Sequence, residues 1–142
     1  MMRRLAVTCL FLSVALALVA NSGAAQVVIS QVYGGGGNGG ATYRNDFVEL
    51  FNRGTTTVNL TGWTVQYASA SGSSWDRTSL SGTIAPGRYY LVHEYRGSGG
   101  TTDLPAADAV GSINLNAETG KVALVAGSVS TRLMLKGCGR SI

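Results

Sequence analysis

Histidine occurs once in this chain, at position 93, and cysteine twice, at positions 9 and 138. A zinc centre draws three or four ligands from histidine, cysteine and carboxylates, and so few of the first two supply no such set. An acyl-transfer triad couples a histidine to a serine exposed on a sharp strand-to-helix turn, and no serine here has that setting. Charge is also scarce, at 13 % of residues. Between residues 26 and 128 six basic side chains face seven acidic ones, so the net charge of +4 comes from Arg3, Arg4, Arg132, Lys136 and Arg140. A protein that grips nucleic acid through its phosphates needs a basic stripe, and none is visible outside the tail. A 3.6-residue apolar period is missing after residue 25, which excludes long helices; only a single helical turn at 104–109 is allowed.

What the first 25 residues do contain is one long apolar run. Arg3 and Arg4 precede residues 5–20, which are almost wholly apolar, and Asn21, Ser22, Gly23, Ala24 and Ala25 follow. This is the layout of a cleavable secretory signal peptide. The run is short for a membrane span of about 20 residues, so no retained span is expected and the mature protein is expected outside the cytoplasm, extracellular or periplasmic. Cys9 leaves with the signal. Cys138 stays as a lone thiol, partnered elsewhere or left over in an incomplete chain.

The remainder alternates at period two. Residues 27–32, 47–51, 58–60, 63–68, 88–94, 121–125 and 128–135 read as strands, with turn chemistry at Asn52-Arg53-Gly54, Thr61-Gly62, Ser81-Gly82, Pro86-Gly87 and Thr119-Gly120. Roughly 100 residues of short strands indicate an all-β, immunoglobulin-like antiparallel sandwich. Within it, Val48 and Leu50 are expected to face the core, and Trp63 to anchor it.

Six glycines lie within residues 34–40, and Gly35, Gly37 and Gly40 satisfy GxGxxG. That fingerprint binds phosphate only where it opens a helix. Residues 46–52 alternate as a strand instead, so the glycines are expected to form a wide turn that visits positive φ. Asp46 and Glu49 are three apart on that strand and point to opposite faces. His93 and Glu94 are adjacent and also point apart. Asp103 and Asp108 flank a short loop that could gather oxygen ligands for calcium. Asn59-Leu60-Thr61 is a glycosylation sequon. Trp75 follows a Gly/Ser loop and precedes Asp76-Arg77, a setting in which an indole can stack on sugars or bases. Trp75, Arg77 and His93 are the candidate ligand or partner contacts. No catalytic, cofactor-binding or metal residue is assigned.

Three ordered stretches, VVISQVYGGGGN, NDFVELFNRGTTTVNLTGWTVQYAS and LSGTIAPGRYYLVHE, resemble the lamin-tail domain. The shared features are the glycine-rich loop, the Asp46–Asn52 strand, the Val58–Trp63 turn, and the Pro-Gly approach to the strand at 88–92. The resemblance covers residues 26–126. It implies an immunoglobulin-like fold, a binding or tethering role, and in bacteria a frequent place ahead of a secreted nuclease or phosphoesterase. Two features depart from the pattern. No cysteine pair brackets a tryptophan, and TRLMLKGCGRSI stands where a Val-Asp-x-Val-Gly-Tyr-Gly-like strand is usual. Residues 129–142 are therefore expected to be an atypical tail, truncated or frame-shifted.

Together these readings describe residues 1–25 as signal, 26–128 as a lamin-tail-like sandwich, and the whole as a secreted, non-catalytic binding or targeting module without a cofactor. It is expected to be a fragment of a larger exported protein, with an extracellular or cell-surface partner. The alternatives are an accessory domain of an extracellular nuclease or phosphoesterase, which brings nucleic acid in as a partner, and a small self-assembling surface protein.

Overall fold

The computed structural model describes residues 25–127. The signal segment, the strand expected at 128–135, Cys138 and the atypical tail lie outside the described residues.

Nine strands follow one another: β1 (Val27–Tyr33), β2 (Asn45–Asn52), β3 (Val58–Asn59), β4 (Thr64–Ala68), β5 (Asp76–Ser79), β6 (Thr83–Ile84), β7 (Tyr89–Arg96), β8 (Ala109–Val110) and β9 (Lys121–Val125). Their sequences are rich in β-branched and aromatic residues, which pack well on a pleated surface. One sheet has the order β1-β2-β7-β8, a second β5-β4-β9, and β3 pairs with β6 between them in sequence. No helix forms at 104–109, where the chain runs irregularly into β8. The sandwich is antiparallel as expected, except that β8 lies parallel to β7, with Val92 opposite Ala109. Twelve residues separate those strands in one long connection, too long for a hairpin.

The strand alternation assigns each face. Val48 and Leu50 of β2, Tyr90 and Val92 of β7, Val65 and Tyr67 of β4, and Val122 of β9 meet in one core with Leu60, Leu80, Ile84, Ile113 and Leu115. Burying such aliphatic side chains contributes about 1.5–3 kcal/mol each. Trp63 is only partly buried and packs against this core from its margin, so it is less central than its place in the strand pattern indicates. In β1 the register slips between Ile29 and Gln31. The extra residue, Ser30, turns its hydroxyl to the Glu49 carboxylate at 2.7 Å.

The glycine run is a turn. Gly35, Gly37 and Gly40 have φ of 77°, 72° and 84°, a region costly for residues with a Cβ. These are the three glycines of the GxGxxG pattern, which therefore reflects backbone conformation. Gly36 is needed for another reason: a Cβ there would meet the Asn45 backbone at 2.1 Å.

Candidate functional site

Two acidic residues are sealed inside the sandwich. Asp46 and Glu94 are 0 % and 1 % exposed, because both fall on inward positions at the ends of their strands. Asp46 Oδ1 accepts the Gly36 N–H at 2.6 Å, and Oδ2 accepts the Leu115 N–H at 2.7 Å. Glu94 Oε2 accepts the Thr78 hydroxyl at 2.9 Å and the Ile113 N–H at 3.0 Å, while Glu94 Oε1 has no partner. Burial pushes the Asp46 carboxyl above its ordinary value, against the pull of the Leu115 and Gly36 N–H groups. Burial likewise raises Glu94, opposed by Thr78 and Ile113 and reinforced by the charge of Asp46. These carboxylates act as clasps: they hold the glycine loop and the 111–116 segment to the end of the four-stranded sheet. They are buried, and among the described residues no lysine, arginine or histidine hydrogen-bonds to them. Among the described residues, no group of three or more His, Cys, Asp or Glu is placed to hold a metal.

The 103–108 loop divides its aspartates between different tasks. Asp103 pairs with Arg44 at 2.6 Å and Arg96 at 2.9 Å. Hydrogen bonding to Arg96, with the charges of Arg96 and Arg44, holds its carboxyl below the ordinary value. Asp108 accepts the Leu91 N–H at 2.8 Å. The loop thus directs its two carboxylates to different partners rather than converging them on one cation.

The three candidate contact residues are not brought together. Trp75 is half-buried just before β5, with Lys121 Nζ 5.6 Å from the centre of its ring. That ammonium also donates to the Gly72 carbonyl at 2.6 Å. Arg77 projects from the outer face of the three-stranded sheet, opposite Gln66. His93 stands on the outer face of the other sheet, between Phe47 of β2 and Val110 of β8.

The surroundings of His93 form the most distinctive surface of the molecule. The outward positions of the four-stranded sheet carry Tyr33, Phe47, Phe51, Tyr89, Leu91 and Tyr95. Tyr33 stacks on Phe47 with ring centres 5.4 Å apart, Tyr43 caps both edge-on, and Phe51 leans on Tyr89 at 4.8 Å. Such cross-strand aromatic pairs stabilise a sheet, but they leave ring faces at the surface. Tyr89, Tyr95 and Val110 are 61 %, 43 % and 74 % exposed, and all three stand on this one face. The one basic side chain of these four strands, Arg96 opposite Asn45 at the end of β7, is engaged by Asp103 at 2.9 Å, and the outward carboxylate, Glu49, is engaged by Ser30.

The sequence matches the family model of the lamin tail domain over residues 20–135, well over half of the chain. The chain belongs to the lamin tail domain family. No curated protein matches it at a significant level.

The structure accounts for the lamin-tail motif residues one by one. Asp46 and Asn52 bracket β2 as paired loop clasps. Asn52 is wholly buried; its amide donates to the Thr56 and Ile84 carbonyls at 2.8 and 2.9 Å, and its Oδ1 accepts the Gly54 N–H. Gly62, at φ 84°, bends the chain before Trp63. Gly87, at φ 66°, sits in the Pro-Gly turn that Arg88 N–H closes on the Ala85 carbonyl at 3.2 Å, and its own N–H ties the turn to the Asn52 carbonyl at 2.8 Å. Sequence reasoning missed the aromatic face because it treated each ring singly. The signal was present in Tyr89, Leu91, His93 and Tyr95, four alternate positions of one strand with no small or charged residue among them.

Proposed function

We propose that this protein is an exported, non-catalytic lamin-tail module that binds an uncharged polysaccharide of a cell envelope through the outer face of its four-stranded sheet. One observation carries the reading: the exposed Tyr89, Tyr95 and Val110 all stand on that face, beside the half-buried Leu91 and His93. Contiguous exposed apolar surface of this kind marks interaction sites. Tyrosine suits a sugar, since its ring packs on the apolar C–H face of a pyranose while its hydroxyl bonds the polar rim. Arg96, the one basic side chain of these four strands, is already engaged by Asp103, which argues against a phosphate-rich partner. Export is supported by the signal-like residues 1–25, and His93 is the one candidate contact that belongs to this surface. Trp75 and Arg77 belong to the opposite sheet.

A second reading keeps the same module as the accessory domain of an extracellular nuclease or phosphoesterase. The family resemblance favours it, and it brings nucleic acid in as the partner.

Co-sedimentation of the purified protein with an insoluble neutral glycan, run beside a duplex DNA binding titration, separates the two. The polysaccharide reading expects retention on the glycan that is unchanged between about 50 and 200 mM salt. Binding to DNA that weakens steeply over that range, with none to glycan, would replace it with the nuclease-associated reading.

A further inference from the structure

The glycine loop between β1 and β2 has a buried half and an open half. Gly35, Gly36 and Gly37 are buried, and the Asp46 carboxylate accepts the Gly36 N–H at 2.6 Å. Asn38, Gly39 and Gly40 are exposed. The Ala41 N–H closes a turn on the Asn38 carbonyl at 3.1 Å, with Gly40 at φ 84° in its third position. Among the described residues, neither the Asn38 side-chain amide nor the Gly39 N–H has a hydrogen-bond partner. A Cβ placed on Gly39 would meet nothing within 4 Å. An electrophilic side-chain amide thus stands next to an unshielded, unbonded backbone nitrogen.

We propose that Asn38 is a site of spontaneous deamidation, with Gly39 as its intramolecular nucleophile and water as its only co-reactant. Solvent base takes the Gly39 amide proton, and the nitrogen forms a bond to Asn38 Cγ. The Cγ–Nδ2 bond breaks, and the leaving nitrogen takes a proton back from solvent and departs as ammonia. Water then opens the cyclic imide. Attack at Cγ gives aspartate, and attack at the backbone carbonyl carbon gives isoaspartate; the Gly39 nitrogen recovers its proton in both. Glycine favours the closure, because it has no Cβ to obstruct the approach and leaves the backbone free to reach it. The other described asparagines lack this combination. The N–H groups that follow Asn52, Asn59 and Asn114 are held by the Gln26 carbonyl, the Gly82 carbonyl and the Asp46 carboxylate. The Asn45 side chain is buried and bonded to the Glu94 carbonyl and to Arg96. Asn116 Oδ1 accepts the Glu118 and Thr119 N–H groups. Both products put a negative charge on the open half of the loop, and isoaspartate lengthens its main chain by a carbon. That half rests on the second glycine loop: Gly99 donates to the Gly37 carbonyl at 2.8 Å, and a Cβ on Gly99 would collide with the Asn38 carbonyl. Deamidation therefore loosens the contact between the 34–40 and 97–102 loops while the Asp46 clasp holds. This inference is independent of the outer face and of what binds there.

The test is peptide mapping by mass spectrometry of protein expressed from the full coding sequence, aged in water labelled with heavy oxygen and digested at mildly acidic pH. A urea-unfolded sample and the Gly39→Val variant are run alongside. The Asn38 peptide is expected to convert to the acid with labelled oxygen incorporated, as a pair of isomers with isoaspartate in excess, and faster at mildly alkaline than at neutral pH. Asn45, Asn52, Asn59, Asn114 and Asn116 stay amides over the same period. Gly39→Val, which the φ and the open space at this position allow, slows conversion about tenfold or more. Amides of residues 97–102 exchange with solvent faster in the aged protein, and those of 46–52 do not. An Asn38 that stays an amide in the folded protein while it converts in urea overturns the proposal. So does conversion at the same rate in Gly39→Val, or to the same extent at the other asparagines. Unchanged exchange at 97–102 after full conversion overturns the loosening.

Discussion

The two sheets of this lamin-tail domain share one core and differ on their outer faces. The three-stranded sheet turns Thr64, Gln66, Arg77 and Ser79 outward, with Gln66 bonded to Thr64 at 3.0 Å. That surface satisfies itself and water. The four-stranded sheet turns out tyrosines, phenylalanines, a leucine and a valine. It also carries, on its inner side, the buried carboxylates that clasp its end loops. Water alone does not account for so many ring faces on one side of a sandwich. The proposed binding reading rests on this difference between the two outer faces.

The strongest way to break the comparison is to release the clasp. Asp46→Ala removes the acceptor for the Gly36 and Leu115 N–H groups and leaves both buried, at a cost of about 1–3 kcal/mol each, partly offset by no longer burying a carboxyl. The urea midpoint is expected to fall by the equivalent of about 2–4 kcal/mol. A loss below about 0.5 kcal/mol would deny the clasp its role.

Next in size is the outer face itself. Replacing Tyr89, Tyr95 and Val110 together by serine is expected to lower glycan retention about tenfold or more, since aromatic anchors dominate binding energy. Arg77→Ser with Trp75→Ser on the opposite side is expected to change it less than about twofold. Equal losses from both variants, measured by co-sedimentation, would erase the distinction between the faces.

The pH dependence sharpens the inner half of the comparison. Asp46 and Glu94 have raised values in the folded protein, so the native state binds their protons more tightly than the unfolded chain does. Their contribution to stability is full below the ordinary values of 3.8 and 4.5 and declines as pH rises through the raised native values. Thermal midpoints are therefore expected to climb as pH falls through the raised native values towards the ordinary 4.5 and 3.8. Glu94→Gln should flatten this rise. Asp103 has the opposite sign: its value is lowered, so its contribution is present above 3.8 and lost as pH falls further. It is fully exposed, and Asp103→Asn is expected to leave the urea midpoint unchanged at about 0.15 M salt.

Much of the fold was legible in residue alternation. Val48 and Leu50 face inward, the glycine run is a turn, and Asp46 points opposite to Glu49, all as a period of two requires. The short β8 was not legible, because Ala109 and Val110 carry no alternation of their own and pair only through a long connection. The burial of Asp46 and Glu94 was also hidden. A strand pattern marks acidic residues as outward by type, whereas these two lie at strand ends where loop N–H groups converge. For the site, His93 was read singly as a strand residue, while its cross-strand neighbours, Phe47 and Val110, come from two other strands. A one-dimensional reading could not gather Tyr33, Phe47, Phe51 and Val110 around it.

The most direct test of the account is an amide chemical-shift map of the labelled protein on titration with a soluble oligosaccharide cut from the glycan it sediments with. The account predicts perturbations at residues 89, 91, 93, 95 and 110, and none at 64, 66, 77 and 79. Shifts confined to the three-stranded sheet, or none on either face at saturating sugar, would contradict it.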